Sequence, residues 1–237
     1  MAVPYKTAPT SCQNCPYLSQ SLMGTCQKEE LELISTSKIS QCYKKGQTIF
    51  QTNNRLSGLY CIHQGKVKVS RISSDGKEQI MRLAQEGDAL GYRSLMVGNV
   101  ATTSAIALND CVVCLIPRPD FFSIIKQNSQ FSAALTALLA KDLGRMEERM
   151  MHAAFKPVRG RLAEALLLLH ELFRPAADMR FSIPITREDL AALTSTAKET
   201  ASRLLSEFRE EGLVATRGSR ITILNLEKLT HLSSLYE

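Results

Sequence analysis

Residues 196–208, Thr-Ala-Lys-Glu-Thr-Ala-Ser-Arg-Leu-Leu-Ser-Glu-Phe, carry two helical periodicities at once. Ala201, Leu204, Leu205 and Phe208 recur at i, i+3, i+4 and i+7, which sets them on one side of an α-helix. Glu199, Ser202, Arg203 and Ser206 repeat the spacing on the opposite side. A helix divided in this way buries its first stripe and presents its second, so the chain around it must supply a small core. Residues 185–195 read as a preceding short helix opened by Thr186, with Asp189 placed to support the cap.

Two helices joined by so short a polar turn read as a helix-turn-helix. In that motif the second helix enters the DNA major groove and its exposed N-terminal side chains reach base edges. Arg203 can give two parallel donors to guanine O6 and N7, Glu199 can accept from cytosine N4, and Ser202 suits either edge or a thymine methyl. A plainer assignment fits the same residues: Thr196 and Glu199 as a capping box, Arg203 and Glu207 as a surface pair one turn apart. The residues that follow favour DNA. Runs at 213–216 and 220–224, around a turn at Arg217-Gly218-Ser219, make a compact hairpin, a wing that brings Arg217 and Arg220 near the phosphate backbone.

The chain has 237 residues, enough for two modest domains. No apolar run approaches membrane-spanning length, so no membrane partner is expected. The stretch Met1 to Lys6 lacks the apolar core of a secretory signal, which points to a cytoplasmic protein. Seven cysteines in that compartment read as thiols or metal ligands rather than disulfides. The net charge of +6 invites a nucleic-acid partner, but residues 155–237 hold 12 Lys and Arg against 11 Asp and Glu. The DNA reading therefore rests on side-chain placement, not on bulk charge.

Between residues 42 and 122, short strand-like runs alternate with glycine-bearing turns, as in an antiparallel jelly roll. Gly65-Lys66-Val67-Lys68-Val69-Ser70 alternates polar and apolar side chains, and Ser74-Asp75-Gly76-Lys77 is a turn. From residue 131 to 155 the pattern becomes helical. Leu139, Leu143, Met146, Met150 and Ala153 step by four, three, four and three, the spacing of a coiled-coil seam and equally of a helix packed on its own domain. Glu147 and Glu148 would bring like charges together where two such helices cross; as a solvated outer pair they would not. Lys156-Pro157 ends the helix. The expected class is α+β, in four parts: a cysteine-bearing arm (1–27), a β-roll sensor (28–125), a long helix (126–154) and a winged helix-turn-helix (155–237).

Glu199-Thr200-Ala201-Ser202-Arg203 resembles the E-x-x-S-R signature of the FNR branch of the CRP/FNR regulators. The roll is similar to that family's cyclic-nucleotide-binding-like sensor domain at Lys45-Gly46-Gln47-Thr48-Ile49-Phe50, Gly65-Lys66-Val67-Lys68-Val69 and Gly87-Asp88. The resemblance implies a homodimer that reads a palindromic TTGA-type site, with RNA polymerase as a further partner. Glu199 would face the cytosine opposite guanine, Arg203 the guanine, and Ser202 a thymine. Lys198 stands where the CRP branch carries an arginine. The helix 126–154 would be the dimerisation helix, seamed by Leu139, Leu143, Met146 and Met150, and Glu148 would match the acid that makes FNR dimerisation conditional.

Cyclic-nucleotide members of the family hold ribose with a glutamate after a glycine, and phosphate with an arginine beside a serine or threonine. Here Gly91-Tyr92 and Thr102-Thr103-Ser104 stand at those places, so a buried cyclic phosphate would lack its cation and cAMP is disfavoured. The cysteines offer a different sensor. Cys12-Gln13-Asn14-Cys15 puts two thiolates within reach of one metal or cluster, and Cys26 follows in the same arm. By resemblance Cys114 is the distant fourth cluster cysteine. Cys12, Cys15, Cys26 and Cys114 would then hold an iron-sulfur cluster of the 4Fe-4S kind, whose attack by oxygen would loosen the dimer. FNR places its third cysteine five residues beyond the pair; ten residues separate Cys15 from Cys26, a longer loop at little extra closure entropy.

Structural zinc, a thiol-disulfide switch of Cys12 and Cys15, and a haem or other small effector in the roll are the competing sensors. Cys42, Cys61 and Cys111 read as small core or half-buried side chains. Cys111 cannot stand in beside Cys114, because residues three apart on a strand point to opposite faces. No enzyme is expected. The Cys12/Cys15 motif lacks the flanking strand and βαβ pattern of a thiol oxidoreductase, and His63, His152, His170 and His231 fall in unrelated contexts.

Overall fold

The computed structural model describes residues 9–175 and 181–235. The reading of Met1 to Lys6 falls outside them. The chain divides into two compact units, one of residues up to Arg71 with Met81–Gly144, the other of Ile72–Ile80 with the chain from Arg145 onward.

In the first unit, the arm folds as three short 3-10 turns, Cys12–Asn14, Leu18–Gln20 and Leu22–Thr25. Ser11 starts the first by accepting a hydrogen bond from the Gln13 amide. Helix α1 (Lys28–Ser37) opens on a capping box between Gln27 and Glu30. The roll follows: β1 (Ile39–Tyr43), β2 (Thr48–Phe50), β3 (Gly58–Gln64), β4 (Val67–Ile72), β5 (Glu78–Ala84), β6 (Ala89–Leu90), helix α2 (Tyr92–Val97), β7 (Ser104–Ala107) and β8 (Cys111–Pro117). Two four-stranded sheets result, in the orders β1-β8-β3-β6 and β2-β7-β4-β5, and the registered pairs are antiparallel. Leu59, Val67, Ala105 and Phe121 are fully buried between them and the elements that cover them. β8 is apolar nearly throughout, since it lies between β1 and β3 and is covered on both faces. Gly65 has φ +100 at the β3–β4 turn, where an added Cβ would stand 2.5 Å from Cys111 Sγ.

Helix α3 (Arg118–Gln127) leads to the 27-residue helix α4 (Ser129–Phe155). Asn128 joins them: its Oδ1 accepts from the Phe131 amide at 2.9 Å, and its Nδ2 donates to Glu30 Oε2 at 2.7 Å. Helix α4 spans the range expected from the heptad-like spacing, and Lys156-Pro157 separates it from α5 (Val158–Phe173) as the sequence implied.

The second unit continues with β9 (Ile183–Pro184), α6 (Arg187–Thr194), α7 (Lys198–Glu210), β10 (Val214–Arg217), β11 (Arg220–Ile223) and α8 (Leu226–Ser234). Its core holds Leu162, Leu166, Leu169, Leu190, Ala201, Phe208 and Ile221, all fully buried. The wing is tighter than the sequence suggested. Arg217 belongs to β10 and pairs with Arg220, leaving Gly218-Ser219 as a two-residue loop in which Gly218 takes φ +58, a conformation glycine adopts at no steric cost. β9 adds a third strand, in the order β10-β11-β9. Among the described residues no helix is long and apolar enough to cross a membrane.

A candidate nucleic-acid interface and a cysteine-lined cavity

Thr186 starts α6 as its sequence context demands. The Oγ1 accepts from the Asp189 amide at 3.0 Å and donates to the Asp189 carboxylate at 2.8 Å. Ser195 closes the helix in the left-handed region at φ +54, which sharply redirects the chain toward α7. Ala201, Leu204, Leu205 and Phe208 of α7 are buried, while Lys198, Glu199 and Arg203 are exposed and Ser202 is half-buried. The capping box that Thr196 and Glu199 could have formed is not made: no side chain caps α7, and Glu199 is left on the outer face. Arg217 and Arg220 stand exposed at the wing.

The outer face is held by ion pairs within this unit. Arg203 donates to Glu207 Oε1 one turn on, and the other oxygen of Glu207 takes Arg159 Nη1 at 3.2 Å. Arg159 also meets Glu211 at 2.6 Å and lies over the Phe208 ring, its guanidinium carbon 4.8 Å from the centroid. The surface pair considered as the plainer reading of Arg203 is therefore present, and it holds the guanidinium at the surface without burying it. Lys198 is tied to Glu188 of α6 by an ion pair. Sequence spacing gave no sign of Arg159 as a support, since it lies 48 residues from Glu207.

Along α4, Leu143 is 61% and Met150 66% exposed, with Leu139 and Met146 half-buried. Glu147 and Glu148 are exposed. An apolar stripe of that length left in water is the surface a second helix would cover.

In the first unit, Cys12, Cys15, Cys61, Cys114, His63 and Lys38 line a cavity of about 50 Å³ under the arm. Cys12 and Cys15 stand three residues apart around a single 3-10 turn, where side chains eclipse and point the same way. Cys114 of β8 lies between Ser40 of β1 and Cys61 of β3 in register, and its Sγ is 3.6 Å from Ser40 Oγ. Cys15 Sγ stands 3.8 Å from His63 Nδ1. Burial pushes the Cys114 thiol up, against the hydrogen bond from Ser40 and the charge of Lys38. Burial and then Lys38 hold His63 below its ordinary value, with Glu86 acting against them.

Cys26 does not border the cavity, though it is close enough to Cys12 and Cys61 to interact with both; like them it packs against the core of the roll. Its thiol is pushed up to about 12, first by burial, then by Glu30 and Cys12. Cys111 turns away from Cys114, as strand geometry requires, toward Asn109 and Lys66. Cys61 and His63 are the residues that sequence reasoning passed over. Both belong to β3, and only the pairing of β3 with β8 beneath the arm brings them to Cys114. Among the described residues, no three His, Cys, Asp or Glu side chains are gathered closely enough to hold a single metal ion.

At the nucleotide position, Tyr92 is buried and its hydroxyl joins Arg82 Nη1 (2.8 Å) and the Asp142 carboxylate of α4. The sequence reading found no cation near Thr102. The structure brings one: Arg93 of α2 donates to Thr102 Oγ1 at 3.1 Å.

Comparison with known proteins matches both halves. The model of the cyclic nucleotide-binding domain fits residues 40–128, and that of the Crp-like helix-turn-helix domain fits residues 160–232. The Fumarate and nitrate reduction regulatory protein of Escherichia coli K12 is 28% identical over 225 residues, covering 94% of this chain and 90% of that protein. The CRP-like cAMP-activated global transcriptional regulator of Mycobacterium tuberculosis H37Rv is 28% identical over 189 residues, covering 79% and 84%. A solved regulator of the crp/fnr family from Eubacterium rectale superposes with a TM-score of 0.75 at 23% identity, over 90% of this chain and 97% of that one. These relatives are transcription regulators, not enzymes. A cyclic-nucleotide-binding roll, a long helix and a Crp-like helix-turn-helix follow one another along the chain, which is the fold and domain order of the CRP/FNR family of transcription regulators.

Proposed function

We propose that the chain is a homodimeric regulator that reads inverted TTGA-type half-sites through α7 and is governed by oxygen or redox state at its cysteine-lined cavity. The carrying observation is the outer face of α7. Glu199, Ser202 and Arg203 lie within five residues at its N-terminal end, on the side opposite the buried stripe, where a helix in the major groove presents its side chains. Arg203 serves guanine, Glu199 the paired cytosine, and Ser202 a thymine. Arg217 and Arg220 at the wing meet phosphates, and Lys198 reaches the backbone or an outer base pair once it leaves Glu188. The apolar stripe of α4, from Leu139 through Leu143 and Met146 to Met150, pairs with its copy, and Glu148 penalises that pairing. Two α7 helices then stand one DNA turn apart, and RNA polymerase receives the output. The cell interior is its proposed setting.

For the sensor, the donor set fits an iron-sulfur cluster. Cys12, Cys15 and Cys114 border one cavity, and in a cluster each thiolate binds a different iron. When bound, the cluster supplies reactivity toward oxygen. The chain's own residues orient the thiols from the 3-10 turn and β8, and Lys38 places positive charge beside them. Cyclic AMP remains disfavoured, now on Tyr92, which fills the glutamate position and is engaged with Arg82 and Asp142, rather than on a missing cation.

The DNA reading is tested by titrating the purified protein and Arg203→Ala on a palindromic TTGA-type duplex and on a random one. Arg203→Ala is expected to lose about 1–3 kcal/mol per guanine contact on the first and little on the second. Equal loss on both would contradict the role given to Arg203.

A further inference from the structure

We propose that Cys61, not Cys26, supplies the fourth thiolate to the site formed by Cys12, Cys15 and Cys114. The inference rests on the cluster reading above and deepens it by naming the ligand set. Cys61 and Cys114 are register partners on adjacent antiparallel strands, so their side chains leave the sheet on the same face. That face is the one the arm covers, with Cys12 and Cys15 on its first turn, and all four residues border the same cavity. The site is thus built from two paired strands and one short capped turn, whereas Cys26 lies beyond two further turns and does not border the cavity. The ten-residue gap between Cys15 and Cys26, which departs from the FNR spacing, then needs no explanation as a ligand loop.

Burial and, next, Cys114 push the Cys61 thiol up, with Cys12, Cys15 and Cys26 adding to the effect. Four thiolates cannot share one cavity without a cation, and each thiol gives up its proton as its sulfur binds iron.

The full-length chain, reconstituted without air from ferrous iron and sulfide, tests this. Iron, acid-labile sulfide and visible absorption are measured for wild type, Cys61→Ser, Cys26→Ser and Cys114→Ser. Cys61→Ser and Cys114→Ser are expected to lose roughly tenfold or more of the bound iron and sulfide, and Cys26→Ser to keep both. Alkylation of the unaltered reconstituted protein, mapped by mass spectrometry, gives a second readout free of folding effects: Cys61 is expected to be protected and Cys26 to gain no protection. Full loading of Cys61→Ser, or protection of Cys26 with Cys61 left reactive, would overturn the assignment and leave the cluster reading standing. A wild-type chain that takes up neither iron nor sulfide, or that takes up zinc alone, would overturn both.

Discussion

The Arg203 guanidinium is held by the Glu207 carboxylate one turn along α7, and Glu207 is itself held by Arg159 of α5. In the role proposed for it, Arg203 is thereby held in place before DNA arrives, which reduces the ordering cost of binding. Arg203→Lys should not restore what Arg203→Ala loses, because an ammonium lacks the planar fork that meets guanine O6 and N7 together. Competition titrations on duplexes altered at the guanine should show Arg203→Lys discriminating no better than Arg203→Ala. Retention of full discrimination by the lysine would place the specificity elsewhere.

Thr186→Ala removes a hydroxyl that both accepts from the Asp189 amide and donates to its carboxylate. The loss should be about 1 kcal/mol. In a unit of this size that lowers the unfolding midpoint by roughly 4–8 °C, read by circular dichroism. An unchanged midpoint would mean that the cap contributes nothing to holding α6 against α7.

Leu143 and Met150 have no reason to be apolar in an isolated chain, since both are mostly in water. Leu143→Glu should weaken self-association by about 1.5–3 kcal/mol for each leucine withdrawn, and Glu148→Ala should strengthen it. Sedimentation equilibrium over a range of protein concentrations decides. A dimer indifferent to both changes would remove α4 from the pairing surface.

Cys26 offers a titration with a definite sign. Its thiol is raised from 9.0 to about 12, so the folded state holds the proton more tightly than the unfolded state does. Its contribution to stability is whole below the ordinary value and is lost as pH climbs towards the folded value. Alkylation of Cys26 in the metal-free protein, followed by mass spectrometry against pH, should show its midpoint well above 9.0. A midpoint at the ordinary value would mean that the site is open to water.

The two-stripe pattern of α7, the cap at Thr186 and the stop at Lys156-Pro157 were legible because each is a local rule acting within a few residues. The wing was legible too, apart from Arg217, which strand pairing draws out of the turn. The cavity was legible only in part. Cys12 and Cys15 share a local motif, and the resemblance to FNR pointed to Cys114, but Cys61 gives no local signal, because its place depends on register between strands 53 residues apart. Arg93 escaped notice for the same reason, reaching Thr102 across a loop. Cys26 looked equivalent to its neighbours in sequence, and the two 3-10 turns that follow Cys15 leave it off the cavity wall.

The claim that ties these parts together is that the thiols beneath the arm govern how α7 meets DNA. The direct measurement is binding of one reconstituted sample to one palindromic TTGA-type duplex, first without air and then after exposure to it, with visible absorption recorded alongside. Tight binding that weakens as the absorption bleaches, with no such change in Cys114→Ser, is the result expected. Equal affinity before and after bleaching would contradict it.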